Sequence, residues 1–352
     1  MRILALTRYS RLGASSRLRT LQYLPYLAQS GFDITVAPFF DDGYLQRLYG
    51  RQSQRSQYPR FFRERIATLR AASGHDAIWI EKEALPWLPW AVEHRLLPRN
   101  VPIVVDYDDA IFHRYDRHRS GLVRRLLGDK IDAVMAHADL VIAGNAYLRN
   151  RAVQAGAKRT EIVPTVVDID RYDLATARPE GRPRIGWIGS PSTAPYLQTI
   201  MPAVERVARD CPADWIAIGA RDDQLAAPFT SLHWSEDEEV ALLRTLDIGI
   251  MPLPDDDWSR GKCGYKLIQY MACGLPVIAS PIGANCEIVT AGVNGFLADG
   301  QEEWANALRR LIDDGAMRAE MGAAGRAIVE RQYSLQSQAP RLAALLRSVA
   351  GA

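Results

Sequence analysis

Two successive series of short apolar runs constrain this chain more than any other feature. Ile3–Thr7, Ile34–Pro38, Ala77–Ile80, Ile103–Asp106, Leu140–Ala143 and Ile162–Pro164 read as strands of the first series. Ile185–Ile188, Trp215–Ile218, Ile248–Pro252, Val277–Ser280 and Gly295–Ala298 form the second. Helical stretches lie between them, for instance Ser16–Gln29, Leu122–His137, Ala194–Asp210 and Glu302–Asp313, and Ser334 is placed to cap a last helix reaching Val349. Strands too apolar to have a solvated face, alternating with helices, argue for parallel sheets covered on both faces. At 352 residues the chain exceeds one comfortable core. We therefore expect an α/β protein of two doubly wound, Rossmann-like domains with a cleft between them, covering 1–170 and 171–334. The Pro/Arg/Gly-rich Arg178–Pro183 is the expected linker, and helix 335–352 is expected to pack back on the first domain. In such sheets ligands bind beyond the carboxyl ends of the strands.

The richest loop is Trp258-Ser-Arg-Gly-Lys-Cys-Gly-Tyr-Lys-Leu-Ile-Gln-Tyr-Met-Ala-Cys-Gly-Leu-Pro-Val-Ile-Ala-Ser280. Gly261 and Gly264 would let backbone approach a ligand, and Arg260, Lys262 and Lys266 gather positive charge. A helix starting near Cys263 places Leu267, Ile268, Met271 and Ala272 on one face, with Lys266 and Gln269 opposite. A helix N-terminus with added cations suits a phosphate. An ordinary amphipathic helix with solvated Lys and Gln fits the same pattern. Gly189-Ser190 followed by Ser192 and Thr193 is a second anion-binding turn or a plain N-cap. Trp234, after Leu232-His233, either stacks on a base or is buried.

In the first half, Ser10-Arg-Leu-Gly-Ala-Ser-Ser-Arg17 opens a helix without the Gly-x-Gly-x-x-Gly pattern, and no P-loop appears anywhere. Gly13 permits close approach, while Ser15 or Ser16 caps the helix or meets a ligand, with Arg17 beside them. Asp106, Asp108 and Asp109 crowd three carboxylates at a strand end, with His113 following. Such carboxylates repel one another unless a cation or hydroxyls share them. Magnesium would serve, but sugar hydroxyls, or plain turn and capping duty, serve without metal.

Charge is unevenly spread. Residues 1–170 carry a net +7 and residues 171–352 a net −5. Seven arginines interleave with Tyr49, Tyr58, Phe61 and Phe62 between Arg47 and Arg70, and a second basic stretch runs from Arg114 to Lys130. With no recognised nucleic-acid motif, an anionic membrane surface at 47–70 or an anionic acceptor is the expected partner. No apolar run spans a bilayer, and Met1–Leu6 is too short for a signal peptide, so a cytoplasmic protein is expected. Cys211, Cys263, Cys273 and Cys286 lack zinc-site spacing and read as free, mostly buried thiols.

Together, Ala138–Ile142 with Asn145, Val163–Asp168, Tyr270–Ser280, and Glu287-Ile-Val with Gly292–Leu297 resemble the retaining glycosyltransferases of family 4, of GT-B fold (glycosyl transferases group 1). The resemblance implies a nucleotide-sugar donor in the second domain, a UDP-sugar in preference to a GDP-sugar. It also implies a glycan or lipid-linked acceptor on the first domain, no cofactor and no metal. Lys266, Asp108 and Asp109 are the implied catalytic residues. Gly189, Ser190, Ser192, Trp234, Arg260, Gly261, Lys262, Gly264, Tyr265, Lys266 and Gln269 are the implied donor contacts; Gly13, Ser15, Ser16, Arg17, Asp106 and His113 are the acceptor contacts. The chain departs from the family where two glutamates seven residues apart are usual. Gly261 stands at the first position, which usually touches the transferred sugar, and Gln269 at the second, which usually meets the donor ribose. The usual Arg/Lys pair gives way to Ser190, Ser192 and Thr193. Transfer with retention to a cell-envelope polysaccharide or lipid-linked acceptor, peripherally at the inner face of the membrane, is the expected activity. A catalytically silent subunit supporting a partner enzyme, or a sugar-nucleotide epimerase, fits the same architecture.

Overall fold

The computed structural model describes residues 1–49, 57–174 and 181–351, Tyr49 through its backbone alone. Two compact units emerge, Met1–Thr165 with Gln338–Ala352, and Val166–Ser337. Half of the expected linker, residues 178–180, lies outside the described residues.

Unit 1 holds β1 (Arg2–Tyr9), β2 (Asp33–Phe40), β3 (Ala77–Glu81), β4 (Ile103–Tyr107), β5 (Leu140–Ala143) and β6 (Thr160–Ile162). They form one parallel sheet in the order β2-β1-β3-β4-β5-β6. Every residue of β3, β4 and β5 is buried, as helices on both faces require. The helix Leu335–Ala350 contributes its later turns to this unit, with the Arg347 guanidinium 4.8 Å above the Phe32 ring.

Unit 2 holds β7 (Arg184–Ile188), β8 (Asp214–Ile218), β9 (Phe229–Leu232), β10 (Ile248–Met251), β11 (Val277–Ala279) and β12 (Gly295–Leu297). Their order is β12-β11-β10-β7-β8-β9, again parallel. In each sheet the winding reverses once, between β1 and β3 in unit 1 and between β7 and β10 in unit 2. Crevices at those reversals are where such sheets bind ligands.

Several expected boundaries shift for local reasons. Strands β6 and β10 stop before Pro164 and Pro252, which have no N–H to donate. Ser280 lies beyond β11 and instead turns the chain, its hydroxyl accepting from Leu253 N at 3.0 Å. The long helices break: 16–29 into Ala14–Arg19, Leu21–Tyr23 and Leu24–Gln29, and 122–137 into Gly121–Leu127 and Lys130–His137. The stretch 194–210 opens as a 3-10 turn to Ile200 before Met201–Asp210, with Pro202 in its first turn. Neither Ser15 nor Ser16 caps the first helix; Gly13 stands at that N-cap without a side-chain bond. Ser334 does accept from Ser337 N at 3.1 Å.

Candidate functional site

In unit 2 the reversal point is built from the turn after β7 and the helix Tyr265–Ala272. That helix starts two residues later than Cys263 because Gly264 holds φ +64°, a left-handed conformation that sets the entry of the chain. A side chain there would also strike Ile288, so packing alone already calls for glycine at this position. Gly189 is similarly hemmed in by the Trp187 ring and the Thr193 hydroxyl. The Ser190 and Ser192 hydroxyls meet at 2.7 Å on an exposed turn.

Lys266 projects over the Trp187 ring, its Nζ 4.9 Å from the centroid. Among the described residues it makes no hydrogen bond and no ion pair. Burial, with the Lys262 charge adding to it, brings its pKa down to about 7. A cation held without a counter-charge at a sheet reversal is a place for an anion. Of its expected companions, Lys262 leans on Trp258, with Nζ 5.9 Å from the ring. Arg260 is already satisfied by Asp255 at 2.8 Å and Asp257 at 3.5 Å, so it is not a spare cation.

Gln269 requires a correction. It is buried, not on an exposed face, and its Nε2 donates to Glu239 at 2.7 Å and to the Tyr172 hydroxyl at 3.3 Å. Trp234, half-buried, donates its Nε1 to the other Glu239 oxygen at 2.8 Å. Tyr265, partly buried at the start of the helix, neighbours Tyr172. Glu239 and Tyr172 carried no motif and were invisible to sequence reasoning.

The reversal point of unit 1 is organised differently. Lys82, just after β3, has φ +67°, rare for a residue with a side chain. Its ammonium lies 2.9 Å from Asp108, 3.6 Å from Asp109 and 2.9 Å from the Ser15 hydroxyl, which in turn donates to Asp108. The cation that shares the two carboxylates is therefore a lysine of the chain itself. Burial alone would raise Asp108, but Lys82 and Ser15 bring its carboxyl below the ordinary range. Burial opposes the Lys82 charge as well, yet Asp108 and Asp109 hold its pKa above normal. Among the described residues no group of three or more His, Cys, Asp or Glu is arranged to hold a metal ion. The charged run Glu81-Lys82-Glu83 at a strand end was the sequence signal for this cluster.

Four expected acceptor contacts of unit 1 already have partners within the chain. Asp106 is buried in a two-pronged pair with Arg19 at 2.8 and 3.0 Å. Ser16 is buried against Glu81 and accepts from Tyr9 N at 2.9 Å. His113 is held between Asp116 at 2.9 Å and the Tyr147 hydroxyl at 2.8 Å. Gly13 is packed on the Tyr9 side chain. Arg17 reaches the Arg11 carbonyl oxygen at 3.5 Å.

In the basic region 47–70, Arg60, Arg63 and Arg70 are exposed, while Phe61 and Arg65 turn inward. Phe61 is buried against Phe39, Phe40 and Tyr44, and Arg65 is buried with its guanidinium on the carbonyl oxygens of Thr7 and Ala37, both at 2.9 Å. Arg51 and Arg55 lie outside the described residues. Exposed apolar side chains occur in both basic stretches, Leu48 in the first and Leu122 and Leu126 in the second. Leu122 is 65% exposed, Leu126 58% and Trp87 42%, and the Trp87 ring sits 5.8 Å from that of His118. Arg117, Arg119, Arg124 and Arg125 are exposed or partly exposed around them. No helix among the described residues is long and apolar enough to cross a membrane. All four cysteines are free; Cys263 and Cys273 are buried, Cys211 is intermediate and Cys286 exposed.

Comparison with known proteins bears on unit 2 first. Residues 182–314 match the family model described as glycosyl transferases group 1. The GDP-mannose-dependent monoacylated alpha-(1-6)-phosphatidylinositol monomannoside mannosyltransferase of Corynebacterium glutamicum is 39% identical over 87 residues, 24% of this chain and 23% of that protein. The D-inositol 3-phosphate glycosyltransferase of Nocardia farcinica is 28% identical over 235 residues, 57% of this chain and 50% of that one. These alignments thus span half or less of the relatives' length. Among solved structures, HepE of Anabaena in complex with UDP aligns with a TM-score of 0.72 at 19% identity, over 99% of this chain and 100% of that one. Sucrose-phosphate synthase of Thermosynechococcus elongatus aligns with a TM-score of 0.72 at 14% identity, over 99% and 98%. The fold is therefore GT-B, and its second unit carries the stretch that matches glycosyl transferases group 1.

Proposed function

We propose that this protein is a glycosyltransferase that moves a sugar from a nucleotide-diphosphate sugar to a lipid-linked or polysaccharide acceptor, with retention of anomeric configuration. The observation that carries the reading is Lys266, a lysine at the sheet reversal of unit 2 without a counter-charge among the described residues. Breaking the bond between sugar and diphosphate leaves negative charge on the departing group. Pre-aimed cations and N–H donors stabilise that charge more than the ground state, which lowers the barrier. No protein nucleophile is needed if the departing phosphate takes the acceptor's proton. Since Lys266 and backbone N–H groups meet the charge, donor binding would survive a chelator. The UDP held by HepE favours a UDP-sugar, while the corynebacterial relative is GDP-mannose-dependent.

In unit 1, Asp108 and Asp109 present carboxylate oxygens beside Lys82, suited to sugar hydroxyls. The exposed Leu122, Leu126 and Trp87 with their arginines favour an anionic membrane as the place where a lipid-linked acceptor is met. A role in cell-envelope polysaccharide synthesis at the inner membrane face is consistent with that surface. The test is a thermal-shift panel of UDP- and GDP-sugars, with and without chelator, on the native protein and on Lys266→Met. A shift with one donor that persists with chelator and vanishes in the variant supports the reading. No shift with any donor overturns it.

A further inference from the structure

Lys266 and the ring beneath it come from opposite faces of the unit 2 sheet. Trp187 points from β7 into the core shared with Ile185, Leu197 and Leu308. The helix Tyr265–Ala272 packs through Leu267, Ile268 and Tyr270 on the other face, where Ile188 points. Tyr270 pins that helix to the sheet, its hydroxyl accepting from Ile188 N at 2.8 Å and donating to Ile250 O at 3.3 Å. Lys266, one turn earlier, therefore crosses the carboxyl edge of the sheet to bring its ammonium over the indole. The ring has no room to yield: it is fully buried, and the place of a Cβ on Gly189 is taken by its Cζ2 and Cη2 atoms. Trp187 Nε1 has no hydrogen-bond partner among the described residues, so the bond that usually accompanies a buried tryptophan is not what fixes this one. What the ring offers Lys266 is its face.

We infer that Trp187 is the positioning residue of Lys266: its π face seats the ammonium at the strand ends, where a diphosphate is to meet it. The inference rests on the nucleotide-sugar reading given above and deepens it. A tryptophan face attracts a cation through its quadrupole and carries no net charge. A carboxylate in the same place would hold the lysine too, but it would neutralise the charge and repel the phosphates. The indole also favours the charged form of Lys266. It thereby opposes burial and the neighbouring charge of Lys262, the charged group among the described residues that bears on this ammonium.

Isothermal titration of UDP and GDP across a range of pH tests the assignment on the native protein, Trp187→Leu, Trp187→Phe and Lys266→Met. Without the ring face Lys266 holds its proton less well. The ratio of native to Trp187→Leu affinity should therefore be smallest at about pH 6 and widen to about two- to thirtyfold above about pH 8. Trp187→Phe keeps a ring face and is expected to recover most of the difference. A residue that only fills the core would lower affinity by one factor at every pH. Should Trp187→Leu not fold, protein labelled with fluorotryptophan decides instead. The fluorine resonance that Trp187→Phe lacks is expected to shift with pH around about 7, and to stop doing so in Lys266→Met. Suppose the native protein binds UDP or GDP and Lys266→Met abolishes that binding. A ratio constant with pH, or a fluorine resonance that stays still, then overturns this assignment while the nucleotide-sugar reading stands. If Lys266→Met binds as the native protein does, or the native protein binds neither nucleotide, both fall together.

Discussion

The two sheet reversals hold one lysine each, buried at Lys82 and half-buried at Lys266, and the two are treated in opposite ways. Lys82 in unit 1 is closed by Asp108, Asp109 and the Ser15 hydroxyl; Lys266 in unit 2 rests on a tryptophan face with no counter-charge among the described residues. A paired buried charge stabilises the fold only as long as both partners remain. An unpaired one lowers stability until a ligand completes it. The first arrangement preorganises carboxylates for neutral hydroxyls, and the second stores a demand for an anion.

That contrast breaks most sharply under substitution. Lys82→Met should cost about 3–5 kcal/mol of unfolding free energy, because Asp108 is left buried beside a vanished partner. Lys266→Met should do the reverse in the ligand-free protein, leaving stability unchanged or raising it. Equal losses in denaturant titrations of the two variants would dissolve the distinction. Lys266→Met should instead lose about 2.7–4 kcal/mol of transition-state stabilisation, roughly a hundred- to thousandfold in kcat, if it acts as other preorganised donors do. Donor turnover within about twofold of the native rate would remove it from the machinery.

The pH dependence sharpens the same contrast. Between about 7 and the ordinary lysine range, the unfolded chain keeps a proton that folded, ligand-free protein has lost at Lys266, so this residue makes stability rise with pH. A bound diphosphate restores the proton. Its affinity should therefore fall above about pH 7, by up to about tenfold per unit, and the slope should vanish in Lys266→Met. A flat profile in the native protein would mean that Lys266 does not touch the anion. The smallest effect concerns the surface of unit 1. Neutralising Arg119 or Arg125 should cost about 1 kcal/mol each in partition onto anionic phospholipid vesicles, and Leu122→Asp should weaken it further. Co-sedimentation unaffected by these changes would place the basic excess of residues 1–170 elsewhere.

Local pattern made most of the scaffold legible. Runs such as Ile103–Asp106 and Val277–Ala279 announced strands because buried parallel strands are apolar throughout. Phe229–Leu232 escaped notice because an edge strand with exposed Thr230 needs no such run. Helix breaks at Thr20 and Gly128 were hidden because periodicity continues across them. At the sites, residue types were legible but pairings were not. Asp106 and Asp108 look alike in sequence, yet one faces Arg19 and the other Lys82, a choice made by strand order. Glu239 and Tyr172 meet Gln269 from 30 and 97 residues away, and nothing local signals such a meeting. The left-handed backbone of Lys82 is equally silent in sequence.

The helix Leu335–Ala350 gives the two units different schedules during synthesis. Unit 2 is one uninterrupted stretch, closed where Val167 N donates to the Tyr333 carbonyl at 3.1 Å and Leu335 N to the Val167 carbonyl at 2.7 Å. Unit 1 begins first but borrows residues 338–352, which are translated only after all of unit 2. The half encoded later is thus the half able to finish first. A growing chain must carry an incomplete unit 1, its surface around Phe32 still uncovered, until Arg347 arrives.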